Sequence, residues 1–360
     1  MSAPRMNELG FYTLAGAPRT PRELLDEVRM GEEMGFGSVF ISERFNIKEA
    51  ATLCGAAGAV SSEIGIATAA TNQNTRHPMV TASFAMTMAK LTGGRFSLGL
   101  GRGIAPLFGL YGLPNITTAQ IEDFVGLMRR LWRGEMVAGH NGPAGSYPLL
   151  TLGGGFSEEI PLTFTAFGPN SLALGGRAFD AVVLHSFFTE ETTERCVRTV
   201  KEAAERAGRD PGQVRVWSCF ATVGDHLAPE LRLRKTVGRM ATYLQAYGDL
   251  MVRTNEWDSA ALQRFREDDV FRGFRSAIDA TATTEQLEHI ATLIPEEWLA
   301  AAATGSPRQC VEAIEGQFGL GCDGVILHGA SPAELTPIVE EYRRTRPAER
   351  FAGLAANPAA

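Results

Sequence analysis

The sequence predicts a closed (β/α)8 TIM barrel with a helical insertion between its seventh and eighth strands. Three observations carry this. Eight short apolar runs rich in β-branched or aromatic residues recur along the chain, and most are followed by a segment of helical period. The length, 360 residues, suits one such barrel with insertions. Strands alternating with helices require a parallel sheet, and eight is the number that closes it. The domain reading is a single barrel over residues 1–350 and a loose tail over 351–360.

In order, the runs are LGFYTL from Leu9, SVFIS from Ser38, IGIATAAT from Ile64, FSLGLG from Phe96, LTFTAF from Leu162, AVVLHS from Ala181, VRVWSCFATV from Val214 and GVILHG from Gly324. Helix starts between them carry their own signals. Thr20-Pro21 with Glu23, Thr117-Thr118 before Ile121 and Leu127, Thr189 with Glu190 and Glu191, and Ser306-Pro307 are expected N-caps. Their hydroxyls accept from free helix N–H groups, and proline or acids suit the first turn. Two stretches exceed the repeat. Residues 134–160, with HNGPAGSYP and LGGGFSEE, form a Gly/Pro-rich excursion between the fourth and fifth strands. Residues 227–300 are charged and mostly helical, and an insertion of that length after a barrel strand is read as the roof of an active site, with a solvated helical flap as the alternative. Within it Arg232, Arg239 and Tyr243 fall near one helical face, read as solvated, with a gate over the pocket as the alternative.

Composition excludes several classes. The net charge is −7, and no window concentrates Lys and Arg as a phosphate backbone requires, so nucleic acid is not an expected partner. The start, MSAPRMNELG, has no apolar signal core, and no stretch supplies the roughly 18 unbroken apolar residues of a membrane span. A cytoplasmic protein without a membrane partner is expected. The five cysteines are scattered without a CxxC pair, which reads as reduced, mostly buried thiols.

In this architecture chemistry sits at the carboxyl ends of the strands. Those ends carry Thr13–Gly16, Ser42-Glu43-Arg44, Ala69–His77, Gly101-Arg102-Gly103, Phe167–Asn170, His185-Ser186, Ala221–Gly224 and His328-Gly329. No strand end bears a lysine for a Schiff base, and the six histidines lie singly, so no metal site is expected. Glu43 is the only acid at a strand end, which argues against the carboxylate pair of a glycosidase. A pocket of small residues, amides and arginines suits a flat anionic cofactor that brings its own reactivity. Phe167-Gly168-Pro169-Asn170-Ser171 opens a helix whose free N–H groups suit an anion, although a plain strand-to-helix turn reads equally well.

Taken together, GEEMGFGSVFISERF, TNQNTRHP, ASFAMTMAKLTGGRFSLGLGRG, AFGPNSLALGGRAFDAVVL, AERAGRDP and ATGSPRQCVEAIEGQFGLGCDGVIL resemble the bacterial-luciferase-like superfamily of flavin and deazaflavin oxidoreductases. The resemblance runs in order over nearly the whole chain and is weakest at 134–160 and 227–300. It implies coenzyme F420 as cofactor, with FMN as the alternative. It implies hydride transfer between the deazaflavin ring and a small-molecule substrate; a luciferase-like monooxygenase and a non-catalytic flavin- or deazaflavin-binding barrel are the competing readings. It implies a non-prolyl cis peptide at Ala69–Ala70 against the ring. Thr68, Ala69, Ala70, Asn72, Gly101, Arg102, Gly103, Phe167, Gly168, Pro169, Asn170 and Ser171 are the implied cofactor contacts.

The sequence departs from the superfamily's deazaflavin sugar-phosphate dehydrogenases. Where those carry Asp-His after the second strand and Gly-Glu after the fourth, this chain has Glu43-Arg44 and Gly103-Ile104. The strand-four acid is absent. Arg44 stays protonated and binds an oxyanion rather than acting as a base. The expected catalytic residues are therefore Glu43, Arg44 and His185, with His328 a further candidate for proton relay. The helices ATLCGAAGAV and MVTASFAMTMAKL are apolar nearly all round, which predicts a homodimer through them, in line with the resemblance.

Overall fold

The computed structural model describes residues 5–360 apart from Ala17 and Asn46 and, within a helix, the side chain of Pro106. Residues 1–4, part of the start read above as lacking a signal core, lie outside the described residues. The strands in chain order are β1 (Met6–Tyr12), β2 (Phe36–Ile41), β3 (Gly65–Thr68), β4 (Phe96–Leu100), β5 (Val137–Gly142), β6 (Gly145–Leu150), β7 (Leu162–Thr165), β8 (Ala181–Val183), β9 (Arg215–Gly224), β10 (Ala303–Gly305) and β11 (Gly324–His328). Eight of them close an all-parallel barrel in the order β1-β2-β3-β4-β7-β8-β9-β11, with β11 returning to β1 at Leu9↔Val325 and Phe11↔Leu327. Every one coincides with a run read from the sequence. The two-residue side-chain period turns one face of each strand inward and the other against the surrounding helices.

The inward face is filled by few, unequal side chains. Phe40 and Trp217 meet edge to face at 5.1 Å, with Ala67, Ala69, Ala181, Val183, Cys219 and Ile326 around them. Gly324 stands beside the Trp217 indole so closely that a Cβ would overlap its ring, which is why this strand begins with glycine. A larger apolar cluster lies between barrel and helices.

The expected loose tail is corrected here. Residues 351–360 fold back under the amino end of the barrel, and Ala359 joins the interior cluster. Asn357 donates to the carbonyls of Gly94 and Phe96 at 2.8 and 2.9 Å, Trp217 Nε1 donates to Pro358 O at 2.7 Å, and Arg215 donates to Asn357 O at 3.1 Å. The barrel floor leaves indole and guanidinium donors unpaired, and tail carbonyls satisfy them.

Three of the four expected caps stand. Thr117, Thr189 and Ser306 accept from the third helical N–H, those of Thr117 and Ser306 as capping boxes with Gln120 and Gln309. The first is displaced: Thr20 accepts only from Arg22 N, and the helix runs Glu23–Glu33. The excursion at 134–160 is more regular than its Gly/Pro content suggests, since β5 and β6 pair as an antiparallel hairpin. The insertion after β9 contains the helices Pro229–Leu233, Arg239–Asn255, Ser259–Glu267, Asp269–Gly273, Ile278–Thr281, Thr284–Ala291 and Glu296–Ala300, followed by β10 on the edge of β9. It carries its own apolar core, including Met240, Leu244, Phe265, Leu287 and Trp298. All five cysteines are free and buried.

Candidate active site

The carboxyl end of β3 is built from main chain. The Thr68 hydroxyl bonds both the carbonyl and the N–H of Gly99, at 2.8 and 2.7 Å, and so locks β3 to β4. Beyond it the Ala69–Ala70 peptide is cis. Ala69 N donates to Ile41 O, Glu43 N to Ala70 O, and Gly101 N to Thr71 O, so the chain here is held from both sides. Gly101 faces it: a Cβ there would lie 2.5 Å from Thr165 Oγ1 and 2.9 Å from Ala70 Cβ. Methyls and bare backbone are what this side of the mouth presents.

Two residues expected in the site are spent elsewhere. The Glu43 carboxylate, its side chain 3% exposed, accepts from Ala50 N, Thr71 Oγ1, Asn72 Nδ2 and Arg76, at 3.2, 2.8, 3.2 and 2.5 Å. Five donor atoms saturate it, counting both Arg76 nitrogens, and the expected acid is a brace for the β3 loop. The Asn72 side chain, expected to contact the cofactor, instead accepts from Asn74 N and Thr75 N and donates to Glu43. Arg76 also reaches Glu49. Sequence placed these polar residues correctly at the strand end, but their direction is decided by the donors that surround them.

Arg102 is likewise occupied. Its Nε donates to Ser171 Oγ at 3.0 Å and its two terminal nitrogens to Ile116 O and Thr118 Oγ1, each at 2.6 Å. It ties the β4 loop to the start of the helix Pro169–Ala178. That helix opens at Gly168 without a side-chain cap, and its first residues Pro169 and Asn170 are exposed. Such an end attracts anions through its free N–H groups and dipole. Gly103 takes a φ of 70°, and a Cβ there would strike the Phe108 ring.

Across the mouth, His185 Nδ1 lies 2.9 Å from Ser186 O and Nε2 lies 2.8 Å from Tyr247 Oη. A carbonyl only accepts, so Nδ1 carries the proton and Nε2 accepts from the tyrosine. Burial holds this imidazole down to about 4, so it is neutral near pH 7. His328 is held well below the usual histidine range, by burial and then by Arg239, and its Nδ1 is buried without a partner. Tyr12 packs edge-on against His328 at 5.3 Å, and Phe167 lies 4.5 Å from His185.

The insertion supplies the remaining wall, which corrects the solvated-face reading. A π-helical turn, Arg234–Gly238, and a break in helical φ/ψ at Tyr247 flank the segment carrying Arg239, Tyr243 and Tyr247. Such local departures re-aim side chains. Tyr243 packs on His185 at 4.8 Å, and Arg239 pairs with Asp279 at 2.9 Å with only 13% of its side chain exposed. Lys48 was missed altogether, because it sits past the strand end in a turn where Arg44 and Lys48 bridge. It is 4% exposed, donates to Thr13 O and Leu14 O at 3.2 Å each, and is brought down to about 7 by burial and by Arg44. Glu27 receives Thr13 Oγ1 and Leu14 N at 2.5 and 2.7 Å, and burial raises its pKa.

Comparison with known proteins adds the following. The sequence model of a family described as luciferase-like monooxygenase matches residues 7–324. A 5,10-methylenetetrahydromethanopterin reductase of Methanolobus tindarius is 28% identical over 203 residues, 54% of this chain and 59% of that protein. An F420-dependent glucose-6-phosphate dehydrogenase of Segniliparus rotundus is 30% identical over 218 residues, 56% of this chain and 65% of that protein. Both matches span less than two thirds of the relative's length. The solved coenzyme F420-dependent tetrahydromethanopterin reductase of Methanopyrus kandleri superposes with a TM-score of 0.76 at 19% identity, over 95% of this chain and 98% of that one, a likeness of fold.

Proposed function

This chain belongs to the luciferase-like monooxygenase family, and from that membership we propose that it is a coenzyme F420-dependent oxidoreductase acting on a small organic substrate. Bound there, the deazaflavin supplies hydride transfer. The observation that carries the reading is the small-residue strand end of Ala69, Ala70 and Gly101, packed so closely that a Cβ at residue 101 would strike Thr165 and Ala70; a flat ring fits against such methyls and main chain. The donor set agrees with an anionic, partly polar cofactor. His328 Nδ1 and Ser186 Oγ are buried without partners, and the helix start at Gly168 is uncapped. The name of the Segniliparus rotundus relative points to the same cofactor.

In this reading Ala69, Ala70 and Gly101 hold the ring face, Gly168 to Ser171 receive phosphate, and Thr68 and Arg102 hold those elements in place. Glu43 and Asn72 position the β3 loop and touch no substrate. His185 keeps its proton on Nδ1 and accepts from Tyr247 on Nε2, so the pair fixes the Tyr247 hydroxyl with its proton directed to the histidine and its lone pairs left to accept from a substrate. Arg44 binds a substrate oxygen. We place the protein in the cytoplasm, in keeping with the lack, among the described residues, of a helix long and apolar enough to cross a membrane. A homodimer through the helices Ala50–Val60 and Pro78–Thr92 belongs to the same proposal, supported by Val80 and Leu91, 55% and 53% exposed, three turns apart on the second helix.

Titration of the pure protein with F420 and with FMN, followed by quenching of Trp132, Trp217, Trp257 and Trp298, tests the cofactor. Tight binding of F420 alone is expected. Tight binding of FMN alone would move the chain to flavin chemistry, and binding of neither would end the reading.

A further inference from the structure

Three cations converge on one turn at the mouth. The turn after β1 takes positive φ at Leu14 and Gly16, and its carbonyls face outward to them. Lys48 Nζ holds Thr13 O and Leu14 O, and Arg44 donates to Gly16 O at 2.8 Å. An Arg239 terminal nitrogen lies 3.7 Å from where a Cβ on Gly16 would stand. The acids facing this group are Glu27, bonded to Thr13 and Leu14, and Asp279, paired with Arg239. Among the described residues, neither Arg44 nor Lys48 has a carboxylate in ion-pair contact.

Backbone carbonyls satisfy hydrogen bonds but carry no net charge, so the cluster is left one positive charge in excess when Glu27 and Asp279 are ionised. A buried excess of that sign is relieved by an anion or by loss of the Lys48 proton, and below about pH 7, where Lys48 keeps its proton, an anion is what balances it. A second observation points the same way. Arg239 Nε is buried without an acceptor, and His328 Nδ1 without a partner, on an imidazole whose pKa is lowered by burial and then by the charge of Arg239. The mutual repulsion shows in the groups themselves: burial and then Arg239 lower the Arg44 pKa, and burial and then Arg44 lower that of Lys48. Around the cations stand aromatic walls, with Tyr243 and Tyr247 stacked at 5.6 Å, Arg239 5.8 Å from the Tyr243 ring, and Tyr12 against His328.

We propose that Arg44, Lys48 and Arg239 form a carboxylate-binding subsite in the barrel mouth, and that the substrate is a small organic acid whose flat apolar body lies among Tyr12, Tyr243 and Tyr247. One excess charge matches a carboxylate or a phosphate monoanion and is overshot by a dianion; the aromatic walls favour a carboxylate on a flat apolar body over a bare phosphate. The planar forks of two arginines suit two carboxylate oxygens. Naming the occupant as the substrate rests on the F420 reading; the anion site itself does not.

The test is calorimetric titration of the purified protein at pH 6.5 with benzoate and, separately, with inorganic phosphate. One benzoate per chain is expected, with phosphate weaker. Arg44→Gln and Arg239→Gln should each weaken benzoate by about tenfold or more, while the F420 affinity read from its own fluorescence stays near that of the parent. Arg239→Lys, which keeps the charge beside Asp279 but not the fork, should bind benzoate with an affinity between those of the parent and Arg239→Gln, and guards against a variant that merely misfolds. Affinity should also fall as pH rises through about 7, and Lys48→Met should lose that dependence. The inference is overturned if the parent ignores benzoate, if the glutamine variants bind it as the parent does, if phosphate binds more tightly, or if they lose F420 while keeping benzoate. Benzoate binding without F420 binding would leave this subsite standing and remove the cofactor reading; F420 binding without benzoate would do the reverse.

Discussion

His185 shows at the scale of one residue how a partner decides a role. A histidine at a strand end is a natural proton carrier, yet here its Nδ1 proton is fixed by Ser186 O and its Nε2 lone pair by Tyr247 Oη. Its folded pKa, about 4, lies below the ordinary 6.5. Between those values the unfolded chain binds a proton that the folded one refuses, so stability falls as pH drops from 6.5 toward 4. The loss has an upper bound of about 3 kcal/mol. Urea unfolding of the parent and of His185→Gln at pH 7 and pH 4.5 checks it: the gap between the two pH values should shrink in the variant. Glu43 and Lys48 make the complementary point. The acid legible at a strand end is saturated by Arg76, Thr71, Asn72 and Ala50, while a lysine with no sequence signal is drawn into the mouth by two carbonyls. Type and position are written in the chain; direction and burial are not.

Among the elements, the eight barrel strands were legible because each is a short apolar run bounded by turn residues, and buried parallel strands need little else. The tail was not. Ala355–Ala360 has the composition of a frayed end, and only the unpaired donors of Trp217 and Arg215 on the barrel floor give it a binding place. Removing residues 352–360 strands those donors, each unpaired group costing about 1–3 kcal/mol. The truncated chain should lose roughly 3 kcal/mol or more of stability in urea, with its tryptophan emission shifted to the red; an unchanged midpoint would show the tail to be a bystander. The insertion lies between these cases. Its helices were foreseen, but the π turn at 234–238 and the break at Tyr247 that aim Arg239, Tyr243 and Tyr247 at the mouth leave no mark in the hydrophobic period.

Across the whole molecule, the barrel leaves an apolar stripe outside. Val80, Phe84 and Leu91 recur along one face of Pro78–Thr92, and Met136 and Leu149 are exposed by 66% and 52% on the excursion beside it. His77 meets Tyr147 edge-on at 5.3 Å, joining helix and hairpin into one surface. Sedimentation at micromolar concentration should find the parent dimeric and Leu91→Arg monomeric, since a charge buried in an apolar interface is left unpaired; a monomeric parent would refute the dimer. By itself the sequence determined the closed parallel barrel and the small residues that stand at the carboxyl ends of β3 and β4, because hydrophobic period and residue size act locally. Tertiary structure alone decided which polar groups are spent as braces, which cations share one turn with one counter-charge too few, and what seals the floor. Those outcomes depend on partners outside any local window, 33 residues away for Glu43 and Arg76, 69 for Arg102 and Ser171 and 263 for Asn357 and Gly94, where no local pattern reaches.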